Sequence, residues 1–127
     1  KGITGENEFA KQRPGWEMPI HDLLVKHGVS IVFHGHDHLF IKQDLDGIVY
    51  QEIPQPGHPR SGNTNSAKEY GYVSGEIQSS SGFVRVRVGE ESARADYVRT
   101  YLPNAESQSR KNGDVSFSYT VPGRKAR

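Results

Sequence analysis

The sequence predicts an α+β domain with one helix and mostly antiparallel strands. Three observations carry that reading. Val and Ile together number 18 against 5 Leu, a bias toward strands. Ile20, Leu23, Leu24 and His27 fall at i, i+3, i+4 and i+7, one stripe of an amphipathic helix. Residues 83–88 alternate apolar side chains with arginine, as a half-exposed antiparallel strand does. The 127 residues amount to one domain or a part of one.

Along the chain, residues 1–15 are polar and glycine-rich and read as a loop. Residues 16–56 follow as a helix, a strand, a histidine-rich turn and a hairpin. The helix starts after Pro19, carries Asp22 in its first turn and Lys26 in its last, and stops at Gly28. Residues 29–33 form a nearly continuous β-branched run, expected of a strand covered on both faces. After His34-Gly35-His36-Asp37-His38, residues 39–41 and 48–53 read as two strands joined by a turn at 44–47. Residues 57–82 are rich in Gly, Ser, Asn and Pro and read as a long loop that Tyr70 and Tyr72 could pin down. Residues 83–121 are expected to form antiparallel strands, with hairpin partners at 83–88 and 93–102 and a last strand at 115–121. Residues 122–127 read as a basic tail.

Composition narrows the function classes. Sixteen basic against fifteen acidic residues leave no net field to recruit nucleic acid or a membrane surface. No apolar run approaches the roughly 20 residues of a membrane helix. Without cysteine there is neither a disulfide framework nor a thiolate site. The chain is expected to be soluble, with export to a bacterial periplasm or the medium left open. It begins at Lys1 rather than Met, so a processed or truncated chain is expected.

The chemistry concentrates at residues 34–38, which hold three of the six histidines. Neutral imidazole is a strong ligand for Zn, Fe and Mn. His36 and His38, two residues apart, project to the same side of an extended chain. Gly35 lets the backbone bend at the end of the strand, and the carboxyl ends of strands are where open α/β sheets place ligands.

Helix, Gly28, strand and then Gly35-His36-Asp37-His38 resemble the closing G-H-x-H motif of the calcineurin-like metallophosphoesterases. The wider text, LLVKHGVSIVFHGHDHLF followed by DGIVYQEIPQP, is similar to the purple-acid-phosphatase-like bacterial branch. The resemblance covers residues 13–56 closely and continues loosely to about residue 102. It implies the C-terminal portion of an α/β/β/α sandwich and a parent enzyme that hydrolyses phosphate mono- or diesters with two divalent ions (Mn, Fe or Zn). His36 and His38 would ligate different ions. Asp37 stands at the variable position and receives no ligand role. Three further residues, His34, Tyr50 and His58, are candidates for substrate or supporting contacts, and Gln51 could accompany Tyr50 at the mouth of the site. His21 and His27 sit on the helix, where the resemblance gives them no role, and His27 is expected to pack.

The family's earlier motifs, D-x-H, G-D-x-x-D and G-N-H-[D/E], are absent from this chain. The expectation is therefore a C-terminal part separated from an N-terminal part of the same protein. Alone, it should be inactive, bind at most one ion weakly and self-associate through the surface its neighbour would cover. Two rivals stand beside this reading. A cupin-like single-metal β-barrel is suggested by the spacing of Gly28, His34, His36 and Gly47, although Phe40 or Ile41 occupies the position of its glutamate ligand. A non-catalytic β-rich interaction module would leave the histidines structural, with Arg85 and Arg87 sharing one strand face.

Overall fold

The computed structural model describes residues 7–57 and 62–123, and they form an α+β fold with two sheets. Two helices come first, α1 (Phe9–Gln12) and α2 (Ile20–Lys26). Strands β1 (Ile31–His34), β2 (Phe40–Leu45) and β3 (Ile48–Glu52) follow, then α3 (Asn65–Glu69) and β4 (Glu76–Gln78). The remainder comprises β5 (Gly82–Val88), β6 (Ser92–Arg99), a 3₁₀ turn (Pro103–Ala105) and β7 (Val115–Pro122). No helix among the described residues is long and apolar enough to cross a membrane.

The first sheet runs β1-β3-β2-β4, with β1 parallel to β3 and the other pairs antiparallel. Its hairpin closes at Asp46-Gly47, both at positive φ (49° and 78°). That is the two-residue geometry an Asp-Gly pair favours, so β2 runs on to Leu45 and the turn is shorter than 44–47. The second sheet is the antiparallel meander β5-β6-β7. The sheets meet where Phe40 stacks on Tyr97, with ring centroids 4.4 Å apart and planes 2° apart. Phe117 meets Phe40 edge-on, and the Lys42 ammonium lies over the Tyr119 ring. A Cβ on Gly82 would stand 2.3 Å from the Tyr97 ring, so glycine is what lets β5 start against it. The opposite face of the first sheet carries Ile41, which packs with Leu39 and Ala67 of α3, flanked by Tyr72 and Ile77.

Four expectations need correction. Residues 9–12 within the predicted first loop form α1. The predicted long loop holds α3 and β4, whose few apolar contacts (Ala67, Ile77) are too sparse to show a period in sequence. Strand β1 is not covered on both faces. Phe33 is 46 % exposed on one face, and among the described residues β1 pairs only with β3, at the edge of its sheet. The α2 stripe also stays largely uncovered, with Ile20, Leu23 and His27 exposed and only Leu24 partly buried, so His27 is not a packing residue. Burial of an apolar stripe needs a facing element, and none among the described residues lies there.

Candidate functional site

The parallel register of β1 and β3 pairs His34 with Glu52, so both side chains stand together at the carboxyl ends of their strands. Glu52 is buried, and its two oxygens face different neighbours. Oε2 lies 2.5 Å from His34 Nδ1, and Oε1 accepts a hydrogen bond from the backbone N–H of Asp37 at 2.9 Å. One buried carboxylate thus accepts from the turn amide with Oε1 and faces the His34 ring with Oε2.

Two further anchors hold the turn after β1. Tyr72 donates its hydroxyl to Asp37 Oδ2 at 2.7 Å. Burial, then the Asp37 hydrogen bond and the Asp37 and Glu52 charges, push the Tyr72 phenol well above its ordinary range, which keeps it a donor. Ser80 donates Oγ–H to the His38 carbonyl at 2.5 Å and accepts from the Gln55 N–H at 3.0 Å. The backbone between these anchors is strained. His36 adopts φ 149° and His38 φ 58°, conformations that non-glycine residues rarely hold and that cost on the order of 1–3 kcal/mol each. The rings of His36 and His38 are exposed and have no hydrogen-bond partner among the described residues. Asp37, by contrast, is tied to Glu52 through its backbone N–H and to Tyr72 through its carboxylate.

His34 and Tyr50 do come together, but around a different residue. They line a cavity of about 750 Å³ with His21, Gln43, Leu45 and Ser74. Tyr50 Oη lies 2.7 Å from His21 Nδ1, and His21 Nε2 lies 2.9 Å from Asp46 Oδ2. A neutral His21 protonated at Nε2 satisfies both contacts, accepting from the phenol and donating to the carboxylate. Burial and the Asp46 charge raise the Tyr50 pKa, which favours the protonated phenol this arrangement needs. The result is a carboxylate–imidazole–phenol chain at the cavity wall, able to hold a proton between α2 and the β2–β3 hairpin. His36 and His38 are not among the lining residues.

Sequence reasoning missed His21 because its partners lie 25 and 29 positions away, and no local period links them. Gln51 does not join the site. It alternates to the other face of β3, fully buried, where its amide donates to the Ile41 and Glu52 carbonyls. His58 lies outside the described residues. Among the described residues, no three His, Asp or Glu side chains converge as a metal-ligand group. Comparison with known proteins finds no matching family model and no matching curated protein.

Proposed function

We propose that this chain is the C-terminal portion of a metal-dependent phosphoesterase acting on phosphate mono- or diesters, in which His36 and His38 act as imidazole ligands. One observation carries the reading. Two exposed, unpartnered imidazoles sit on a strained turn at the end of β1 whose other polar groups are tied down by Glu52, Tyr72 and Ser80. Strain of this kind persists only where surrounding structure over-determines it, and it concentrates at sites with a function to serve. Asp37 braces the turn from within, and His34 orients it through Glu52.

The described residues do not by themselves fit a dinuclear centre. Two imidazoles supply part of one or two ligand sets, and no third donor converges on them. Further donors must come from another segment, which the proposal assigns to an N-terminal part of the same protein. The chain alone then binds at most one divalent ion, weakly, and lacks phosphoesterase activity.

Zinc and manganese titrations followed by histidine ring resonances test this directly. The expected result is one weak site that shifts His36 and His38 first and is lost in His36→Ala and His38→Ala. Hydrolysis of bis(p-nitrophenyl) phosphate should appear only when the chain is produced with the sequence encoded upstream of it, and should vanish in either variant. Equal shifts at all histidines, or activity indifferent to His36 and His38, would overturn the proposal.

A further inference from the structure

A second cavity, of about 600 Å³, lies on the other side of Ser80 from the histidine turn, and Arg99, Arg110, Thr100, Tyr101 and Leu102 contribute to its lining. That volume is within the range of small-molecule sites. Arg99 is 9 % exposed, and its guanidinium donates to the carbonyls of Ser79 (2.9 Å) and Ser80 (3.3 Å). Its Nε–H finds no acceptor. No carboxylate among the described residues lies within ion-pair distance of it, and no described lining residue is acidic. Glu106 and Asp114, in the loop that follows β6, are turned instead to the backbone N–H groups of Asn112 and Lys111.

The contrast with the rest of the second sheet is sharp. Arg85, Arg87 and Arg94 all converge on the single carboxylate of Asp96. Arg99, more buried than any of these three, has no counter-charge among the described residues. The Tyr97 ring, whose centroid lies 4.9 Å from the Arg99 guanidinium, and the two carbonyl oxygens offset only part of the cost of burying that charge without a carboxylate. A second cation contributes to the same lining, and both approach the Tyr101 ring: the Arg99 guanidinium lies 5.5 Å and the Arg110 guanidinium 6.0 Å from its centroid.

We infer that this cavity, which Arg99 and Arg110 both line, binds an oxyanion, the phosphate or carboxylate group of a small molecule. Guanidinium forks match both groups in geometry and charge. The inference stands on the Arg99 cavity alone and does not depend on the role of His36 and His38.

The test follows arginine Nε–H resonances of the folded chain during titration with inorganic phosphate and, separately, acetate, each against sodium chloride at matched ionic strength. Saturable shifts at Arg99 and Arg110 are expected with at least one of the two anions. Preference for phosphate identifies a phosphate group as the ligand chemistry, and preference for acetate a carboxylate. Arg110→Gln should weaken binding about tenfold, the loss of one charge-assisted contact. Arg110 is exposed, so this variant should keep the wild-type spectrum elsewhere. The preferred anion should also raise the wild-type melting temperature, and raise that of Arg110→Gln less at the same concentration. Shifts reproduced by chloride, unsaturated shifts, shifts confined to Arg85, Arg87 and Arg94, or an unchanged affinity in Arg110→Gln would each overturn the inference.

Discussion

Glu52 accepts a hydrogen bond from the backbone N–H of Asp37 at 2.9 Å, across a gap of fifteen residues, and this contact seats the histidine turn on β3. The same carboxylate faces His34. Glu52→Ala should therefore cost about 1–3 kcal/mol, the penalty for leaving buried donors unmet. It should also weaken zinc binding at His36 and His38 about tenfold or more, because supporting groups that orient ligands carry that much affinity. Urea unfolding and zinc titration of the variant measure the two effects. Lost stability with intact zinc affinity would separate Glu52 from the site.

The junction between the sheets depends on the Phe40–Tyr97 stack. Phe40 is fully buried and touches Phe117 as well. Phe40→Ala should destabilise the chain by about 3–5 kcal/mol through lost transfer free energy and a cavity between the sheets. Phe40→Leu should cost less. Chemical denaturation of both variants checks the order.

Stability should fall with acidification below about pH 4, and Asp96 is one cause. The Arg94 hydrogen bond first, then those of Ser118 and Arg85, hold its carboxyl well below the ordinary value of 3.8. A depressed folded-state pKa contributes stability above the unfolded value, and that contribution drains away as pH drops toward the folded value. Asp96→Asn should accordingly flatten the acid limb of a plot of unfolding midpoint against pH. An unchanged limb would show that other carboxylates dominate it.

At the alkaline end the sign reverses. Burial pushes the phenols of Tyr97 and Tyr119 up to about 12. A raised folded-state pKa means that stability is intact below about pH 10 and is lost as pH climbs toward the folded value. Absorbance at the phenolate band should show these residues ionising late and together with unfolding.

Exposed apolar side chains on α2 and β1 predict self-association of the chain on its own. Ile20, Leu23 and Phe33 are all solvent-facing, and β1 offers an open sheet edge. Leu23→Lys combined with Phe33→Lys should move the sedimentation profile toward monomer with little change in melting temperature. A monomeric wild-type chain would contradict the prediction.

Local pattern determined most of the secondary structure. Pro19 and Gly28 bound α2, Asp46-Gly47 makes the hairpin, and the Val/Arg alternation writes β5, because each is a property of a few adjacent residues. The same local reading singled out residues 34–38 by their three histidines. Only the tertiary structure decided where buried charge goes. Glu52 and Tyr72 brace the histidine turn, His21 joins Tyr50 and Asp46, and three arginines share Asp96 while Arg99 has no acid beside it. Apart from Arg94–Asp96, two positions apart, those pairings link residues 9 to 35 positions apart, where no local periodicity reaches. Burial, too, was misjudged for β1 and α2 from their apolar runs, because a run records which side chains shed water and not whether a neighbour arrives to cover them.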